Sequence, residues 1–342
     1  MSPPLPFDLP LRKQGIVLPV GAPDAWDGGM VESPTVWMDA PGRYGMVYTG
    51  YDLRHPGMKG YGSVGRPRIG LAWSTDLRNW SKDPRNPILA GSTMPGAPDS
   101  HGTAGPLVWK QDGVYYLYYF GTTAEGYEAG RKTLNLATST NLTDWTRHPS
   151  NPVLEPQGTG WCRDAIWHPN IVEKAGRFYL FVNASGIVDG IEEEYIGVVV
   201  SDDLVDWRLP EPSGPLLVGS RQPGQWDARG RTGDPSVFKR DGVWFMAYYS
   251  WDGVSTRDGL AWTSEDAFPY GWQPFDENPI LDIGPSGSFD ALHAGKPFVV
   301  WSDAGVYHHF YTAVAGDETR QVALALGGRA AHPLNSSKAL AR

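Results

Sequence analysis

Three short motifs recur in fixed order along this chain, and their recurrence constrains the fold more than any other feature. The first is a proline that opens an apolar strand. It stands at Pro34, Pro106, Pro169, Pro235 and Pro297, at intervals of roughly 62–72 residues. The second is a polar turn before a tryptophan: Ser74 to Trp80, Ser139 to Trp145, Ser201 to Trp207 and, more loosely, Ser264 to Trp272. The third is an apolar closing pair: Asn86-Pro87-Ile88-Leu89, Asn151-Pro152-Val153-Leu154, Gly214-Pro215-Leu216-Leu217 and Asn278-Pro279-Ile280-Leu281. Self-similarity at such a period is the signature of a repeat architecture.

Each unit reads as four strands. One follows the proline, and a second, aromatic one follows a tight turn, as in Tyr115 to Phe120 or Val243 to Tyr249. A third precedes the serine turn, and a fourth runs from the tryptophan to the closing pair. With 15 Trp, 16 Tyr, 42 Gly and 30 Pro, the composition favours aromatic strands joined by turns over helices. Four-stranded sheets repeated radially are propeller blades, so the expected fold is an all-β five-bladed propeller. The fifth unit has only three evident strands, and Ile16 to Val20 is expected to supply the fourth and close the ring. The expected layout is an extension over 1–14, one propeller domain over 15–327 and a frayed polar tail over 328–342.

The net charge of −9 argues against a nucleic-acid partner, because phosphate binding rests on excess Lys and Arg. No apolar run reaches the ~20 residues of a membrane helix, so no membrane partner is expected. The single cysteine, Cys162, excludes an intramolecular disulfide. The start of the chain lacks signal-peptide character, which suits a cytoplasmic protein, or a secreted one whose signal has been removed. Nothing in the sequence sets the oligomeric state.

The hairpins between first and second strands are tight, whereas the second-to-third and interblade connections are long. Both long classes emerge on one face, the face on which the first strands begin. Long loops on a rigid scaffold carry sites, so residues just before the five prolines should line the mouth of a central cavity. Glu32 and Asp234 are acids at or beside a repeated position where other units lack one, which points to function. Asp164 is a third candidate. Trp26-Asp27, Trp226-Asp227 and Phe289-Asp290 repeat, which favours a structural turn role for these aspartates, although Asp27 at the mouth is also a candidate sugar ligand. His101, His168 and His293 come from three units; they could contact sugar hydroxyls, shuttle protons or hold a central structural cation. No metal-ligand spacing is present, and no cofactor is expected. Arg163 and Arg231 are further candidate substrate ligands, and Trp167 is a candidate sugar platform.

The line Gly233-Asp234-Pro235-Ser236-Val237-Phe238, with the serine-turn and closing motifs, resembles the blade signature of five-bladed propeller glycosidases. These are glycoside hydrolase family 43 and relatives such as family 32. The resemblance covers roughly residues 15–327. It implies an Asp base or nucleophile on blade one, a supporting Asp on blade three and a Glu acid on blade four. The same blades here carry Glu32, Asp164 and Asp234, with the residue types partly exchanged. The expectation is a hydrolase of a small oligosaccharide or glycoside, with furanosides favoured. Asp234 would be base or nucleophile, Glu32 acid, and Asp164 an orienting group. Two alternatives stay open. One is a glycoside phosphorylase binding phosphate through Arg163, Arg229, Arg231 and Lys296; the other is a non-catalytic carbohydrate-binding propeller.

Overall fold

Each repeat folds as its motifs dictate. In a computed structural model, residues 2–124 and 130–329 are described. Blade one comprises strands Met30–Ala40, Arg43–Leu53, Val64–Ser74 and Ser81–Lys82. Blade two is Gly102–Gln111, Val114–Thr122, Lys132–Ser139 and Thr146–Arg147. Blade three has Ala165–Lys174, Arg177–Val188 and Ile191–Ser201, with its outer strand reduced to bridges at Arg208 and Leu217. Blade four is Thr232–Arg240, Val243–Trp251, Thr256–Ser264 and Gln273–Pro274. Blade five is His293–Trp301, Tyr307–Val314 and Arg320–Arg329, and its outer strand is the N-terminal segment Phe7–Leu18. A parallel bridge between Ala165 and Lys132 also links blades two and three.

The ring is therefore an all-β five-bladed propeller closed by the N-terminus. The closing strand begins at Phe7, well before Ile16, and ends at Leu18 rather than Val20. Residues 7–14, expected as an extension, thus pair with the last strand, from Phe7 opposite Arg329 onward. Gly328 and Arg329 also belong to that strand; the rest of the 328–342 tail, expected to fray, lies outside the described residues.

The motifs have physical reasons. In the serine turn, Ser74, Ser139 and Ser201 each accept the backbone N–H three residues on at 3.0 Å. That leucine (Leu77, Leu142 or Leu204) takes a positive φ and is buried. Asn141, part of a glycosylation triplet, is consumed in such a turn by Thr143 and Asp144. In the closing motif the asparagine side chain imitates a strand. Asn86 accepts from Leu71 N and donates to Leu71 O, both at 2.8 Å. Asn151 and Asn278 do the same to Leu136 and Leu260.

Apolar clusters fill the gaps between blades, as where Ile69 and Leu71 of blade one meet Val108 and Leu117 of blade two. Each such fully buried side chain contributes about 1.5–3 kcal/mol. A repeated polar clasp ties the outermost strand to the interior. Asp27 accepts from Tyr48 at 3.0 Å and Lys82 at 2.7 Å. Asp99 accepts from Tyr119 at 3.0 Å and Arg147 at 2.7 Å. Asp290 accepts from Tyr311 at 2.9 Å and from Lys13 of the closing strand at 2.6 Å.

Lys13→Met should leave Asp290 buried without its cation and weaken ring closure. The expected loss is about 1–3 kcal/mol in urea unfolding. Unchanged stability would mean that the clasp does not hold the closing strand.

Candidate active site

The first strand of every blade carries the same irregularity. Strand register shifts between Glu32 and Thr35, Ala104 and Leu107, Trp167 and Asn170, Gly233 and Ser236, and Gly295 and Phe298. There the proline and the residue before it stand opposite a single residue of the second strand. Such a bulge bends the strand and re-aims a side chain. The residues before the prolines all take left-handed backbone: Ser33 (φ 53), Gly105 (φ 56), His168 (φ 48), Asp234 (φ 49) and Lys296 (φ 59). Four of these are not glycine, and positive φ is uncommon outside glycine. Held strain of this kind clusters at functional sites. All five line one narrow axial channel.

This ring fixes the equivalence of the blades. Asp234 is equivalent to Ser33, and Glu32 stands one residue earlier, level with Ala104, Trp167, Gly233 and Gly295. Four of the five axial positions bear polar side chains, and Lys296 Nζ lies 3.5 Å from Ser33 Oγ. The Lys296 ammonium lies 3.3 Å from His168 Nε2, and His168 Nε2 lies 3.8 Å from Asp234 Oδ1. Lys296 is also 3.6 Å from Glu32 Oε2. An ammonium can only donate, so His168 Nε2 is the acceptor. Burial and the Lys296 charge hold this imidazole's pKa well below its usual value, so it stays neutral. Lys296 thus occupies the place that a cation held by axial histidines would need. Among the described residues, no three His, Cys, Asp or Glu side chains gather into a metal site.

Above the ring opens a cavity of about 340 Å³, lined among others by Trp167, His168, Glu194, Arg231, Asp234, Trp251, His293 and Lys296. Asp234 is 6% exposed; Oδ1 accepts from Asn183 at 3.1 Å, and Oδ2 is buried with no hydrogen-bond partner. Burial pushes its pKa up to about 7. Lys296 and Asn183 act against that rise, while Glu194 and Glu32 add to it. A carboxyl group that keeps its proton near neutrality, in a cavity, is equipped to donate it.

Among the described residues, the acids nearest Asp234 in and beside the cavity are already engaged. Glu32 is buried; Oε1 accepts from Tyr51 at 3.1 Å and Oε2 from Tyr61 at 2.7 Å. Glu194 Oε2 accepts from Asn183 at 3.0 Å and from Tyr249, and Oε1 lies 3.3 Å from Arg231. Arg231 also bonds Glu193 at 2.7 Å and stacks over Trp251 at 4.7 Å. His293 accepts the Thr256 N–H on Nδ1 at 3.1 Å, and burial with the Arg320 charge lowers its pKa to about 4.

The structure thus brings Asp234, His168, His293, Arg231 and Trp167 to one cavity, with Glu32 beside it. The remaining candidates stand elsewhere. Asp164 has a 42% exposed side chain and is held by Arg163, which also binds Glu192; neither Asp164 nor Arg163 lines the cavity. Asp27 is enclosed in its blade clasp and cannot reach a sugar. His101 faces a small neighbouring pocket, with Ser100 Oγ at 3.3 Å from its Nδ1. Tyr61, Asn183, Glu194 and Tyr249 were not expected. One signal was available: Glu192-Glu193-Glu194 interrupts an otherwise apolar strand.

No family model matches the chain. A 1,2-beta-oligomannan phosphorylase of Thermoanaerobacter sp. (strain X514) is 28% identical over 237 residues, spanning 69% of each chain. A solved structure named glycoside hydrolase superimposes with a TM-score of 0.75 at 20% identity, covering 96% of both chains. Another comes from work on the GH130 family of mannoside phosphorylases, described there as containing glycoside hydrolases that target beta-1,2 mannosidic linkages in Candida mannan. It superimposes at 0.68 with 17% identity and covers 98% of this chain and 99% of its own. A thermostable family-43 glycoside hydrolase gives 0.62 at 19% identity, covering 90% and 96%. The fold is that of glycoside-active propellers.

If Asp234 donates a proton in the rate-limiting step, kcat/KM on a glycoside substrate should fall tenfold per pH unit above about pH 7, where this carboxyl loses its proton. A flat profile from about pH 6 to pH 9 would remove Asp234 from that role.

Proposed function

We propose that this protein cleaves glycosidic bonds in short oligosaccharides by phosphorolysis, with Asp234 as the proton donor. The observation that carries the reading is that one cavity pairs a proton-bearing carboxyl, Asp234, with cationic side chains, while among the described residues Glu194, which also lines it, and Glu32 beside it already accept side-chain donors on both oxygens. A hydrolase needs a second carboxylate to activate water or attack carbon. Glu32 and Glu194 already give their oxygens to tyrosine, asparagine and arginine donors. A phosphorylase needs only the acid, because phosphate arrives as the nucleophile. Lys296, Arg231 and Arg320 line the same cavity and suit an anion. Of the four cations expected to bind phosphate, Arg231 and Lys296 line that cavity; Arg163 and Arg229 do not.

In this reading a phosphate oxygen bonds to the anomeric carbon as the bond from that carbon to the glycosidic oxygen breaks. The departing oxygen takes the Asp234 proton. The products are a sugar 1-phosphate and a shortened sugar, and a proton lost by the phosphate ester restores Asp234. This gives Asp234 the acid role and reverses the sequence-based assignment, for a reason visible only in the burial of its side chain. The linkages named for the similar proteins are mannosidic, which moves the proposed substrate from furanosides to β-1,2-linked mannosides. Lys296 positions the site by fixing neutral His168 against Asp234.

Hydrolysis is the second reading. It is favoured by Glu32, whose buried carboxylate lies 3.6 Å from axial Lys296 and could serve as base once freed.

The test is incubation with β-1,2-linked mannobiose and mannotriose, with and without inorganic phosphate. Mannose 1-phosphate should form only when phosphate is present, and Asp234→Asn should lower kcat by about 10²–10⁴-fold. Release of free mannose at the same rate without phosphate would replace this reading by hydrolysis. Sugar binding with no turnover in either condition would leave only a binding protein.

A further inference from the structure

Glu32 is buried at the heart of the molecule, and phosphorolysis gives it nothing to do. Its surroundings show what restrains it. Its two oxygens face Tyr51 and Tyr61, one hydroxyl each, at 3.1 and 2.7 Å. The two rings meet edge to face with centroids 6.0 Å apart. Tyr51 belongs to the second strand of the same blade. Tyr61 does not: it rides the short turn Gly60–Ser63 in the connection to the third strand. That connection is anchored on the opposite side of the ring closure. The Arg320 guanidinium of blade five lies 4.4 Å over the Tyr61 ring. Gly60, at φ 54, lies against the Glu318 carboxylate, which a Cβ there would displace. Tyr61 also lines the cavity, so it stands between Glu32 Oε2 and the space that substrate would fill. Burial and the Glu32 charge raise the pKa of its phenol, so it remains a donor.

Resting on the phosphorolytic reading above, we propose that Tyr61, with Tyr51, selects phosphate over water as the nucleophile by engaging the carboxylate oxygens with which Glu32 would activate water. Tyr61 is a specificity-determining positioning residue, not a catalytic one. Removing its hydroxyl leaves Oε2 beside Lys296 at 3.6 Å and takes away the donor supplied from the cavity lining. A water there can donate one proton to Oε2 while its oxygen attacks the anomeric carbon. The glycosidic bond then breaks, the departing oxygen takes the Asp234 proton, and free sugar replaces sugar 1-phosphate. The proton on Glu32 afterwards returns through solvent to Asp234, so the cycle needs only water.

Tyr61→Phe keeps the ring that Arg320 and Tyr51 hold and removes only the hydroxyl. The measurement is the ratio of sugar 1-phosphate to free sugar released from a β-1,2-linked mannooligosaccharide at saturating phosphate. Tyr61→Phe should lower that ratio ~10-fold, within the range general base assistance supplies. Adding Glu32→Gln to it should restore the wild-type ratio, because the gained hydrolysis depends on Glu32. If Tyr61→Phe fails to fold, Tyr51→Phe must shift the ratio in the same direction by freeing Oε1. An unchanged ratio in a folded single variant would overturn the proposal, as would free-sugar release that persists in the double variant. A wild-type enzyme that ignores phosphate would instead overturn the phosphorolytic reading, so the two failures are distinguishable.

Discussion

The structure depends on one backbone device, the bulge made by a proline and the left-handed residue before it at the start of each innermost strand. The proline removes an N–H from the inner edge of the blade, where no strand pairs with it. The position after it ties neighbouring blades together through side chains. Ser236 accepts from Val299 N and Asn170 from Val237 N, both at 3.0 Å, while Thr35 donates to Pro106 O at 2.9 Å. The residue before it turns toward the axis. Five repetitions close the ring and, at the same stroke, gather five side chains on one line.

What those five side chains are decides the chemistry. Ser33 and Gly105 are small and leave room; His168, Asp234 and Lys296 fill the rest with a neutral imidazole, a proton-bearing carboxyl and an ammonium. Their closeness is costly in a low-dielectric setting, and the cost is met by keeping the imidazole and the carboxyl uncharged. The cation is balanced by Glu32 outside the ring. The site is therefore built by two layers: an axial layer that sets protonation and an outer layer of Tyr51, Tyr61, Asn183 and Tyr249 that engages the remaining carboxylates.

Much of the fold was legible in the sequence, because each motif encodes a local hydrogen-bond pattern. Asn86 and Ser74 act on neighbours within about fifteen residues, so their spacing reports structure directly. The closing strand was harder: Phe7-Asp8-Leu9-Pro10 reads as proline-rich coil, and its pairing with Arg320–Arg329 is the longest-range contact in the ring. The site was half legible. Asp234 stood out as an acid at a repeated position. Asp164 did not belong with it, because its proximity to His168 in sequence is undone by a turn that leaves it in solvent. Glu194 and Tyr61 could not be found by counting from the prolines, since Tyr61 enters the site from the connection between the second and third strands of blade one and Glu194 from the third strand of blade three. The role of Asp234 was not legible for a related reason: an acid or base assignment rests on burial and on which oxygens are already bonded, and neither is written in spacing.

The central claim is that the axial ring holds Asp234 with its proton near neutral pH. Infrared difference spectra between wild type and Asp234→Asn, recorded across pH, report that carboxyl directly through its protonated C=O stretch. The account predicts a protonated band that persists at pH 6 and titrates with a midpoint of about 7. A band that disappears with a midpoint near ~4, the ordinary aspartate value, would contradict it.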